Sequence, residues 1–199
     1  MSRTLVKGSG SNSGADFLGK GDTYRRMYPK YKSGEISMDE LLTKTFECWR
    51  GLKVSDLDKV YGKFEFNEGV KETILEIKEK GIKTALLTNI PTHLGELFKR
   101  ELHFDFIGGT VLEVEDGIFT GKVLEFHNDK VKEAMKILEK ERISSCEAVS
   151  IGDGKDDAEV FEKVGLGIAY NGDEIARKSA KYQISDFREL SGIIERESV

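Results

Sequence analysis

Around residue 150 an apolar run breaks off into glycine and acid: Ala148-Val149-Ser150-Ile151-Gly152, then Asp153-Gly154-Lys155-Asp156-Asp157. A run this short and this apolar predicts a strand covered on both faces, as in a parallel sheet between helices. A helical pattern follows at once through Ala158, Val160, Phe161 and Val164. The three aspartates therefore fall in the loop leaving the strand's carboxyl end, the edge on which open α/β sheets bind ligands. Carboxylates crowded there repel one another unless a positive charge holds them. Hard oxygen donors completed by water suit Mg²⁺, so Asp153, Asp156 and Asp157 are candidate magnesium ligands beside a phosphorylated molecule. The competing reading is an acidic first turn of a helix, where capping and the dipole favour aspartate.

The chain from Phe64 onward has the same grammar. Residues 70–80 predict an amphipathic helix stopped by Gly81, and 84–87 a buried strand ending in Thr88-Asn89 before a helix opened by Pro91. A short strand at 106–109 precedes a hairpin at 111–123 turning on Asp116-Gly117. A helix at 129–141 leads into the acidic loop; then come a strand at 167–170, a helix from Asp173, a strand at 182–184 and a helix from Phe187. Strand, helix, strand in repetition implies a doubly wound parallel sheet.

Residues 14–63 read differently. Phe17, Leu18, Tyr24, Met27, Tyr28, Tyr31, Ile36, Met38, Leu41, Leu42, Thr45, Phe46 and Trp49 recur at spacings of three and four, and Ser37 with Glu40 makes a capping box. The expectation is a small helical bundle apart from the sheet, with this stripe as its core rather than as a ligand face. Ahead of it, residues 3–6 predict a brief strand and residues 7–14 a flexible Gly/Ser linker. The glycine spacing there fits neither a dinucleotide fingerprint nor a P-loop.

Thr88 at one strand end, Lys130 at a helix start, and Asp153 with Asp157 at another strand end together resemble the haloacid-dehalogenase (HAD) superfamily, most closely its phosphoserine-phosphatase-like branch. The likeness is strongest over residues 64–194. It implies a HAD-like, Rossmann-type α/β core at 64–199, a helical cap at 14–63 inserted near the N-terminus, a β-hairpin flap, and a remnant of the first core strand and loop at 1–13. It further implies that Thr88, Lys130 and Asp157 are catalytic, that Thr88, Asn89 and Lys130 bind phosphate, and that Asp153, Asp156 and Asp157 bind Mg²⁺, with Asp156 where asparagine is usual. A hydroxyl, an ammonium and a metal aimed at one phosphoryl group are what positioning chemistry needs.

Two departures accompany the resemblance. The family's nucleophile is the first aspartate of an Asp-x-Asp-x-Thr run ending the first strand; with residues 7–13 in that loop, glycines stand where both carboxylates belong. The branch also carries a cap arginine that clamps the substrate carboxylate, seven residues after an aromatic. Here Met38 takes the aromatic position and Thr45 that of the arginine, which removes the natural carboxylate partner. The expected activity is Mg-dependent hydrolysis of a small phosphorylated metabolite, impaired for want of the aspartate; the alternative is a non-catalytic phosphate- or metal-binding regulator.

Charge excludes other classes. With 31 basic residues interspersed among 36 acidic ones and a net charge of -5, no basic block offers itself to nucleic acid. No apolar run reaches membrane-spanning length and no signal-peptide core opens the chain, so a cytoplasmic protein is expected. Cys48 and Cys146 are too few and too far apart for a disulfide framework and are expected to be buried or half-buried. Nothing in the pattern sets a subunit number.

Overall fold

The computed structural model describes residues 1–197. Helices α1 (Ser13–Phe17), α2 (Asp22–Lys32), α3 (Met38–Glu47) and α4 (Leu57–Tyr61) precede α5 (Val70–Glu79). Then come β1 (Ala85–Pro91), α6 (Thr92–Leu102), β2 (Phe106–Glu115), β3 (Ile118–Glu125) and α7 (Lys130–Glu141). The chain closes with β4 (Val149–Gly152), α8 (Lys155–Phe161), β5 (Leu166–Tyr170), α9 (Glu174–Ser179), β6 (Tyr182–Ile184) and α10 (Glu189–Glu197). Local chemistry sets the boundaries. Ser37 and Glu40 close their capping box, Asp129 caps α7 by accepting from the Lys132 amide, and Asp173 caps α9. Asp116 and Gly117 both take positive φ (48° and 75°), the turn that matches strand twist in a tight hairpin. The strands expected at 106–109 and 111–114 are one, β2, since the backbone runs on through both.

The parallel α/β core is present, and it is parted at its centre. One sheet has the order β1-β2-β3, with β1 parallel to β2, and the other is the parallel set β4-β5-β6. Between β1 and β4 lies a cavity of about 610 Å³ lined by residues 84–87 and 148–151 and by Ile74, Ile77, Ala134, Leu138 and Ile194 from the helices. The strand expected at 3–6 does not fill it. Residues 1–6 form a turn instead, with the Leu5 amide on the Met1 carbonyl (2.8 Å), Arg3 at φ 61° and Val6 bridged to Phe66. The amides of Leu5 and Val6 bond back to the Met1 carbonyl, and that of Lys7 to the Glu65 carbonyl, rather than to either strand.

The Gly/Ser stretch is packed, not a flexible linker. Ser11 and Asn12 are buried, and the Trp49 indole nitrogen donates to the Ser11 carbonyl (3.1 Å). A Cβ on Gly10 would fall 2.7 Å from an Ile90 methyl, and one on Gly14 2.5 Å from the Trp49 ring. Lack of a side chain reads as freedom in sequence, yet it also permits this close approach. Gly14→Ala should therefore destabilise the protein by about 1–3 kcal/mol, measured by urea denaturation. An unchanged midpoint would mean that the indole shifts freely.

The helical segment also packs differently from a separate bundle. Trp49, fully buried, meets Phe46 and Phe119 of β3 edge-on at 5.8 and 5.6 Å, and Phe119 exchanges backbone hydrogen bonds with Gly51 and Leu52. The β2–β3 hairpin thus belongs to the wall against which α3 packs. Cys146 is exposed, contrary to expectation, because it lies in a 3-10 turn ahead of β4 rather than in the strand.

Candidate active site

The carboxyl ends of β1 and β4 and the amino end of α7 border one cavity of about 340 Å³, into which Thr88, Asn89, Lys130, Asp153, Asp156, Asp157 and Met38 all project. Residues far apart in sequence meet there because both strands run towards the same rim. Thr88, nearly fully buried, accepts from the Ile90 amide (3.3 Å) and keeps its hydroxyl proton for a ligand. The Asn89 amide nitrogen faces only the Met38 thioether (3.8 Å), a weak acceptor, and its carbonyl oxygen is buried without a partner.

Lys130 opens α7 and places Nζ 2.7 Å from Asp157 Oδ1. The other Asp157 oxygen accepts the amides of Asp153 (2.9 Å) and Gly154 (3.1 Å). A Cβ on Gly152 would fall 2.0 Å from the Asp157 carboxyl carbon, so only glycine lets this carboxylate fold back under the loop. Burial alone would neutralise both partners. Against it, the attraction of Asp157 raises the pKa of Lys130, and Lys130 together with the Met1 ammonium lowers that of Asp157. The pair is ionised and locked.

Asp153 is held from the start of the chain. Thr4 Oγ1 donates to its Oδ1 (2.8 Å) and the Arg3 guanidinium sits on its Oδ2 (2.5 Å), with the Arg3 side chain 52% exposed. The Met1 ammonium lies buried near Lys130, Asp157 and Asp153, and burial, with repulsion from Lys130, lowers its pKa to about 6. The sequence reading missed Met1, Arg3 and Thr4 because it set residues 7–13 in this loop. The signal was available in Thr4: aligned with the threonine of an Asp-x-Asp-x-Thr run, it puts Ser2 at the second carboxylate.

Two readings of the helical segment need correction. Thr45 is not at the site: fully buried, it bonds the Leu41 carbonyl (2.7 Å), because its position on α3 faces inward. Conversely Tyr24, Tyr28 and Tyr31, expected in the core, line the cavity from α2, a helix with no buried residue. Their rings follow one another at 5.3 and 6.2 Å, and the Tyr31 hydroxyl reaches Asp156 (3.4 Å). Lys32 to Asp173 (3.3 Å) and Asn128 to Asp39 are further ties between the helical segment and the core.

Among the described residues no three His, Cys, Asp or Glu side chains converge closely enough to hold a metal by themselves. The donor chemistry nonetheless suits a hard cation that keeps most of its waters, and a cation already stands on Asp153 in the form of the Arg3 guanidinium.

A parted α/β sheet with a hydroxyl, an ammonium and paired carboxylates on its carboxyl rim defines an α/β class with its ligand site on that rim, and comparison narrows it. Residues 3–162 match the haloacid dehalogenase-like hydrolases, and the chain belongs to that family, in its phosphoserine-phosphatase-like branch. It is similar to the phosphoserine phosphatase of Archaeoglobus fulgidus, 32% identical over 188 residues, which are 93% of this chain but 55% of that protein. The chain thus spans little more than half of that relative. It is also similar to the phosphoserine phosphatase of Methanocaldococcus jannaschii, 28% identical over 94% of this chain and 91% of that one. A solved substrate-bound phosphoserine phosphatase complex superposes with a TM-score of 0.85 at 27% identity, covering 97% of this chain and 94% of that one. A phospho-aspartyl intermediate analogue of phosphoserine phosphatase gives 0.84 at 27% identity over 97% and 95%.

Proposed function

We propose that this chain binds a small phosphorylated metabolite at a Mg²⁺-dependent phosphomonoesterase site whose turnover is impaired. The carrying observation is the meeting of Thr88, Lys130, Asp153 and Asp157 at one rim of one cavity. In this reading Thr88 donates its hydroxyl proton to a phosphoryl oxygen, and the Asn89 amide leaves the Met38 thioether to donate a second. Lys130 offsets the phosphate charge while it stays paired with Asp157, and the buried setting strengthens each contact. Asp153 and Asp156 would hold Mg²⁺ once Arg3 turns outward, and the ion would neutralise phosphoryl charge there. Residues 14–63 act as a cap, with the three tyrosines roofing the ligand.

Impairment is argued from the lining of the cavity, where Met1, Ser2 and Arg3 accompany Lys130 and Asp153 and none of the three offers a carboxylate able to attack phosphorus. The same observation favours the second reading, a regulator that binds phosphate without turning it over. Phosphoserine itself suits the cavity poorly. Thr45 is turned into the core, and Arg25 of α2 is paired to Asp16 and Asp22. Among the described residues no helix is long and apolar enough to cross a membrane, and a cytoplasmic setting is part of this proposal.

Hydrolysis of p-nitrophenyl phosphate with Mg²⁺, run beside calorimetric titration with inorganic phosphate, tests both parts. The expected result is saturable phosphate binding, with turnover no faster than that of Asp153→Ala. Turnover abolished by Asp153→Ala would refute impairment, and absence of phosphate binding would refute the site.

A further inference from the structure

The active-site cavity has two unlike walls. The core supplies Thr88, Asn89, Lys130 and the aspartates, while residues 14–63 supply Tyr24, Tyr28, Tyr31, Met38, Leu41 and Leu42, with Lys32 as the one charged side chain from that segment. Lys32 is paired with Asp173 (3.3 Å). With its one cation engaged, that wall suits a neutral, planar group better than the carboxylate of an amino acid. The three tyrosines stand at i, i+4 and i+7 of α2, which puts them on one face, and they are half-buried on a helix that buries no residue fully. Resting on the reading of the rim as a phosphoryl site, we propose that these tyrosines select a phosphomonoester whose alcohol is a single aromatic ring, packed against the row while the phosphoryl group lies at Thr88 and Lys130.

Three observations choose that ligand. The rings follow one another with centroids 5.3 Å apart and planes 25° apart, then 6.2 Å and 42°. A further ring joins such a row edge-to-face or offset-stacked at centroid spacings of about 4.5–7 Å, an attraction that a saturated group of the same size lacks. The Tyr31 hydroxyl is engaged with Asp156 (3.4 Å), so its ring is what remains for the ligand, and the row begins at the phosphoryl rim itself. The aromatic ring therefore hangs directly on the ester oxygen. The cavity is about 340 Å³, near the small end of the roughly 300–1,000 Å³ of ligand pockets, which favours one ring over a nucleotide.

The test is calorimetric titration of the whole chain, without metal, with inorganic phosphate, phenyl phosphate and cyclohexyl phosphate. The readout is binding, so it does not depend on turnover. Phenyl phosphate should bind at least about tenfold more tightly than inorganic phosphate and about two- to tenfold more tightly than its cyclohexyl counterpart. Tyr28→Leu keeps apolar area but removes the ring in the middle of the row, and it should erase the preference for phenyl over cyclohexyl. Tyr24→Leu serves if that variant fails to fold. Thr88→Val should instead weaken all three ligands alike. Two results would overturn the proposal and leave the phosphoryl site standing: equal affinity for the two esters where inorganic phosphate binds, or a phenyl preference undiminished in the folded leucine variant. Failure of all three ligands to bind would overturn the site and this inference with it.

Discussion

Lys130→Ala should lower stability by roughly 3–5 kcal/mol, because it strands a buried carboxylate. Lys130 and Asp157 are 13% and 15% exposed and 2.7 Å apart, and the remaining Asp157 oxygen is already committed to two backbone amides. At this chain length the loss corresponds to a fall in melting temperature on the order of 10 °C. Phosphate affinity should drop at least about tenfold with the loss of a charge-assisted donor. Lys130→Met combined with Asp157→Asn separates the two effects: stability should recover while phosphate binding stays lost. Full phosphate affinity in the double variant would take Lys130 out of the binding site. The pH window follows from the signs. Asp157 is depressed below its unfolded 3.8, so its contribution is present above that value and lost as pH falls through the folded pKa. Lys130 is raised above 10.5, so its contribution is present below that value and lost as pH rises through the folded pKa. The pair should hold the fold steady between those limits.

Arg3→Ala should raise Mg²⁺ affinity. Arg3 occupies an oxygen of Asp153 from a half-exposed position in a strained turn, so it competes with any divalent cation for that carboxylate. Where such a contact is closed nine-tenths of the time, removing it strengthens apparent binding about tenfold. Wild-type affinity should fall less with added salt than the variant's does, since screening weakens the competing guanidinium contact along with the attraction of Mg²⁺ for the carboxylate. Calorimetric titration with MgCl₂ is the check, and equal affinities in the two proteins would free Arg3 of this role.

The residues carrying this chemistry were legible to different degrees. Thr88, Asn89, Lys130 and the three aspartates could be named because each sits at a strand end or helix start, and such boundaries are written locally in apolar runs, glycines and caps. Met38, set in the core stripe by its spacing and at the cap's aromatic position by the resemblance, lines the cavity. Thr45 lies in the core, where its helical spacing set it; what failed was the cap-arginine position carried over by the resemblance. The tyrosine stripe of α2 failed because periodicity tells which residues share a helix face and not what that face meets. The Gly/Ser stretch failed because glycine composition is the same for a free tether and for a backbone pressed against an indole ring.

The sequence alone therefore determined the order of strands and helices and the parallel core, since these follow from hydrophobic period and local turn chemistry, while its resemblance to a known family supplied most of the residues proposed for the rim. Only the tertiary structure decided that a guanidinium sits on Asp153, that the first six residues turn rather than extend, and that the sheet is open at its middle. Those outcomes depend on which surfaces meet across a hundred or more residues, and no local pattern encodes the distance between them.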